Sequence, residues 1–265
     1  MKSYIITLLT LGPILIAGGT VMAQNEAASR KIERQVAGLL DKAEYLTDKY
    51  QYDRIRTDTV RSVENALMAT LLKGLNDAPG SISYPFIDLR KRRLRIATSK
   101  DGQLRIYSWD VRDQSDMGAT SSIVQYKTPQ GTRCRIFFDA QNDASDDPGA
   151  FYTRIYTLKS GGKLFYLAFG HSQYNHWNTS QRMRALAIAG DKLVDTLKLF
   201  KQEGQLANVF EIYYDYFDYL KHGRPEMHFD PARNFLFVPV TRGDKVILPR
   251  YRKYFFDKSI FKSSL

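Results

Sequence analysis

The chain has 265 residues, a formal net charge of +11 and a single cysteine, Cys134. One cysteine excludes an intramolecular disulfide, and a chain of this length buries roughly 70–75% of its unfolded surface without one. The 17 Tyr and 15 Phe favour half-buried pleated surfaces, so composition alone points to a β-rich body.

Residues 1–23 read as a secretory leader. Lys2 precedes an apolar run from Tyr4 to Ala17, and small residues lead to Val21-Met22-Ala23. A positive start, an apolar core and a small-x-Ala ending are the pattern of a cleaved signal peptide. The run is shorter than the roughly 20 apolar residues a membrane span needs. The expected address is periplasmic or secreted, with Gln24 first in the mature chain. Lys2 is the only charged residue of the leader, so the mature chain carries +10. Nucleic acid is not an expected partner outside the cytoplasm. Anionic glycan, lipopolysaccharide phosphates and other acidic envelope components are.

Residues 25–48 read as a helix with an apolar stripe of Ile32, Val36, Leu39, Leu40, Ala43 and Leu46. A second helix is predicted over about 58–76, striped by Val60, Val63, Leu67, Leu71 and Leu75. Asn76-Asp77-Ala78-Pro79-Gly80 ends it, since Pro and Gly both oppose continuation. The two helices are expected to pair and to cover a sheet.

From about residue 84 the apolar period changes to two. Arg92–Thr98 and Gln103–Val111 flank Asp101-Gly102, a strong hairpin signal. Ile123–Thr128 and Arg133–Asp139 form the next predicted pair, then Phe151–Leu158 and Lys163–Gly170, then Arg184–Ile188 and Lys192–Phe200. Val209–Tyr219 reads as one aromatic, acidic strand. His228 with Phe235–Val240, then Lys245–Leu248 and Arg250–Asp257, close the chain. The fold class expected is α+β, mainly β. A helical segment at 24–80 packs on an antiparallel β-meander at 81–265, either sandwich-like or irregularly propeller-like.

The strings Tyr107-Ser108-Trp109-Asp110, Met117-Gly118-Ala119-Thr120, Gln125-Tyr126 and Tyr156-Thr157-Leu158 carry a resemblance, as do Lys163 to Ser172 and Phe229 to Val240. Together they resemble a group of exported Bacteroidetes proteins over about residues 84–265. The resemblance implies an exported address and a β-rich body. It implies no activity.

The familiar catalytic patterns fail on inspection. Gly170-His171-Ser172-Gln173-Tyr174 lacks the second glycine that a nucleophile elbow needs. The histidines His171, His176, His222 and His228 show no metal-binding spacing, and a structural zinc site needs four N or S donors. No metal and no cofactor is expected. The acidic loop 139–147 lacks the EF-hand Gly and Glu, with Ala144 and Ala150 in their places. A looser calcium site there stays open. Cys134 reads as a small buried apolar residue.

Two features carry the functional expectation. Arg90, Lys91, Arg92, Arg93 and Arg95 form the densest basic run, and Lys245, Arg250, Arg252, Lys253, Lys258 and Lys262 form a second group. If either set converges it makes an anion-binding face. Charged residues that protect a sheet edge are the ordinary explanation of such a run. Glu211, Tyr213 and Asp215 share one face of a regular strand, a combination that suits carbohydrate contact. The favoured reading is a non-catalytic envelope binding or structural module. The alternative is a carbohydrate-active enzyme using acids within 209–219, which requires two opposed carboxylates about 5–10 Å apart.

Overall fold

The computed structural model describes residues 14–49, 57–111, 119–143, 145–202, 204–221, 225–243 and 245–263. The predicted leader lies outside the described residues up to residue 13. From Ile14 its remainder runs unbroken into helix α1 (Ile14–Lys49). Helix α2 (Thr57–Asp77) follows, and Pro79 starts a short 3-10 turn through Ser83. No helix among the described residues is long and apolar enough to cross a membrane.

Three sheets stack in series behind the helical pair, so the expected α+β, mainly β class is observed. The first sheet is a meander of β1 (Leu94–Thr98), β2 (Leu104–Asp110), β3 (Thr120–Thr128) and β4 (Gly131–Phe138). The second has the order β11-β7-β6-β5, built from β5 (Phe151–Ser160), β6 (Lys163–Gln173), β7 (Asn178–Ala189) and β11 (Val209–Asp215), with β8 (Lys192–Val194) on the end of β7. The third joins β9 (Phe200–Gln202), β10 (Gln205–Ala207), β12 (His228–Asp230), β13 (Phe235–Thr241), β14 (Ile247–Phe256) and β15 (Phe261–Ser263).

Alternation along the strands explains the layering. Tyr107, Trp109 and Ile123 of the first sheet face Ile32, Val36, Leu67 and Leu71 of the helices. Leu104, Ile106 and Val124 face Tyr166, Ala168 and Leu186 of the second sheet. Leu167, Phe169 and Met183, on that sheet's other face, meet Phe200, Leu236, Tyr254 and Phe261 of the third. Buried polar groups pin the helices down. Gln125 accepts from Tyr107 Oη at 2.9 Å and donates to Ser81 Oγ at 3.0 Å. Glu33 accepts from Tyr84 Oη and from the Asp88 N–H.

The sequence expectations need five corrections. Lys245–Leu248 and Arg250–Asp257, expected as two strands, are the single strand β14 (Ile247–Phe256). Residues 209–219 are not one strand, because β11 stops at Asp215 and helix α4 (Tyr216–Lys221) begins. Asp215 Oδ1 accepts from the Phe217 N–H at 2.9 Å and turns the chain. Arg92 and Arg93 precede β1 in a turn, and Arg90 and Lys91 end helix α3 (Ile87–Lys91). Residues 192–200 split between β8 and β9, in different sheets. The body is not wholly antiparallel, since β15 pairs β9 in parallel at Phe261 and Phe200.

Candidate functional site: a basic cleft between the second and third sheets

Among the described residues, strand β11 is an edge strand paired only with β7, so one row of its backbone groups faces outward. Gln202 covers part of that row. Its Nε2 donates to the Glu211 carbonyl at 2.7 Å, and its Oε1 accepts from the Glu211 N–H at 3.3 Å. Two strand steps beyond Tyr213, the Asp215 N–H donates to the Lys245 carbonyl at 3.0 Å. Strand alternation turns the Tyr213 N–H and C=O to the same edge, between these two closures.

A cleft of about 440 Å³ opens at this gap. Four cationic residues line it: Lys201 from β9, Arg242 and Lys245 from the β13–β14 connection, and Arg252 from β14. Phe210, Val238, Pro239 and Tyr254 supply apolar surface. Arg252 lies on the same side of β14 as the core residues Tyr254 and Phe256, which is why it points between the sheets rather than outward.

Among the described residues lining the cleft, Glu211 is the one acidic side chain. Its Oε1 accepts from Ser180 Oγ at 2.6 Å, from Arg182 Nε at 2.6 Å and from Tyr174 Oη at 3.1 Å. Arg182 also donates to Asp147 Oδ1 at 2.6 Å. Burial works against the Arg182 charge, but Glu211 and Asp147 outweigh it and hold the guanidinium firmly protonated. Burial likewise raises the Tyr213 phenol above its ordinary value, so it stays neutral. The Glu211 charge is thus neutralised by Arg182, and the remaining charged side chains among the described lining residues are all cationic. Lys245 Nζ donates to a neutral partner, Asn178 Oδ1, at 2.6 Å. Among the described residues no carboxylate lies within ion-pair distance of Lys201 or Arg252.

The residues singled out in the sequence fall in different places. Glu211 and Tyr213 stand in the cleft wall, while the Asp215 carboxylate caps the start of α4. Lys245 and Arg252 of the second basic group converge on the cleft. Arg250, Lys253, Lys258 and Lys262 do not line it. Lys201 and Arg242 carry no sequence signal, being single charges on a three-residue strand and a turn.

The run Arg90–Arg95 is dispersed. Arg92 forms a two-pronged bond with Asp41 of α1 at 2.6 and 2.9 Å, which lowers the Asp41 carboxyl below its usual range. Arg93 lies 3.7 Å from Glu44 and 3.8 Å from Asp110, and Lys91 lies 3.6 Å from Asp88. Arg90 donates to the carbonyls of Pro85 and Ile96, each at 2.9 Å. Arg90 and Arg95 share a smaller cavity of about 220 Å³ beside Tyr152. Most of the run therefore clamps α1 and α3 to the first sheet instead of presenting one cationic face.

The remaining candidates are engaged in structure. Ser172 is buried and its hydroxyl donates to the Gly149 carbonyl. Burial pushes the Cys134 thiol up to about 12. In the acidic loop, Asp139, Asp143 and Asp147 accept from backbone N–H groups two residues on; Ala144 lies outside the described residues, as does His222. Among the described residues no three His, Cys, Asp or Glu side chains group as a metal site. His171 accepts or donates at Tyr214 Oη (3.1 Å) and lies 3.5 Å from Glu226, which also bonds Arg154 at 2.5 Å. No family model matches the chain, and neither a curated protein nor a solved structure does.

Proposed function

We propose that this protein is an exported, non-catalytic binding module of the cell envelope, and that it holds an anionic ligand in the cleft between its second and third sheets. The observation that carries the reading is the convergence of Lys201, Arg242, Lys245 and Arg252 on one recess in which Glu211, the one acid among its described lining residues, is already neutralised. Clustered cations in a concave, partly apolar site focus the field on an incoming anion. The two carboxylates of the enzymatic alternative are already engaged, Glu211 by three donors and Asp215 by the α4 turn. The leader pattern and the basic charge supply the envelope address and its acidic glycans or lipopolysaccharide as ligands.

Retention on immobilised polygalacturonate at low salt tests this. Lys201→Ser with Arg252→Ser is expected to elute early, while Arg95→Ser elutes with the wild type. Equal retention of all three proteins would reject the cleft as the site.

A further inference from the structure

We infer that an exposed aromatic platform beside the cleft is a sugar-stacking subsite, which makes the ligand an acidic polysaccharide. This rests on the cleft reading and extends it. Trp177 is 62% exposed and Phe217 50% exposed, and their ring centroids are 4.9 Å apart at 52°. Large rings left in water forgo the stabilisation that burial gives, and clusters of them mark interaction sites.

The presentation of both rings is built in. Asn175 Oδ1 accepts from the Trp177 and Asn178 N–H groups, and Asp215 Oδ1 accepts from the Phe217 N–H. The Tyr216 N–H donates to the Trp177 carbonyl at 2.9 Å, locking α4 to the β6–β7 turn. The platform is also joined to the cleft. Lys245 lines the cleft, bonds Asn178 next to Trp177 through its Nζ, and bonds Asp215 next to Tyr216 through its carbonyl.

Charge selects the occupant. Rings that stack on the apolar faces of pyranose units stand beside cations that take carboxylate or sulfate groups. The cations line a recess between two sheets, which an extended polymer can enter and a planar bilayer cannot. A chain of uronic acid units satisfies both halves at once.

Trp177 reports on its own site, because the only other tryptophan, Trp109, is buried. The probes are polygalacturonate, neutral dextran, inorganic pyrophosphate and anionic phosphatidylglycerol vesicles, each added to the full chain. Polygalacturonate is expected to shift Trp177 emission, and dextran is not. Phe217→Ala is expected to weaken polygalacturonate at least about tenfold and to leave pyrophosphate affinity in the cleft unchanged. Unchanged polygalacturonate affinity in Phe217→Ala overturns the platform, even if Lys201→Ser with Arg252→Ser still shows that the cleft binds. An emission shift with vesicles but not with polygalacturonate overturns it in favour of a lipid surface. Loss in Phe217→Ala with no loss in the cleft variant keeps the platform and removes the cleft.

Discussion

Arg182 and Glu211 face each other directly across the β7–β11 ladder, and their side chains close the pair with a 2.6 Å bond. The Arg182 side chain is 6% exposed and that of Glu211 16%. The guanidinium spends its donors on Glu211, Asp147 and Tyr174. This bond is what removes Glu211 from the chemistry of the cleft. Replacing Arg182 with Met is expected to leave two carboxylates without their counter-charge and to cost about 3 kcal/mol. Urea denaturation checks it; an unchanged midpoint contradicts the arrangement.

Stability in acid should depend on Glu226. Its bond to His171 and then its pairing with Arg154 hold its carboxyl at about 2, against an ordinary 4.5, despite opposing burial. The depressed value means that the stabilisation is full above about pH 4.5 and is lost as pH falls toward about 2. Its size is about 2 kcal/mol after solvent screening. Glu226→Gln is expected to fall below the wild type at pH 6 and to converge with it near pH 2. Parallel stability curves across that window would contradict this.

Arg92 and Arg95 should behave differently although they lie three residues apart. Arg92 ties α1 to the turn before β1 through Asp41, and it also donates to the Asp88 carbonyl at 3.0 Å. Arg92→Ser is expected to cost about 1 kcal/mol and to speed hydrogen exchange in α1. Arg95 is exposed, and Arg95→Ser is expected to be neutral. Equal effects would mean the clamp contributes nothing.

Gly149 permits the chain to enter β5. Its φ is +73°, and a Cβ there would lie 2.1 Å from the Thr120 carbonyl oxygen. Gly149→Ala combines a left-handed backbone with a clash against backbone that cannot rotate away. A loss above about 2 kcal/mol is expected. A melting temperature within a degree or two of wild type would show that the loop has room to shift.

The helices and hairpins were legible because each depends on local pattern. The Leu67–Leu71–Leu75 stripe marked α2, and Asp101-Gly102 marked a turn with positive φ at Gly102. The site was only half legible. Tyr213, Lys245 and Arg252 stood out by type and clustering. Lys201 did not, because its relation to Arg252 arises when β15 inserts between β9 and β14. The pairing that neutralises Glu211 was not legible either. Its neutralising partner Arg182 lies 29 residues away, and no spacing rule connects them. The basic run 90–95 reads as one strand face in sequence, but the chain turns at Arg92–Arg93, which scatters charges that a straight strand would have aligned.

The most direct test is a titration of polygalacturonate into the wild type and into Lys201→Ser with Arg252→Ser, at about 0.01 M and about 0.15 M salt. The Debye length falls between these from about 30 Å to about 8 Å. Wild-type binding is expected to weaken steeply with salt. The double variant is expected to bind about tenfold more weakly at the low-salt point, with a shallower dependence. Identical affinity and identical salt dependence in the two proteins would contradict binding in the cleft.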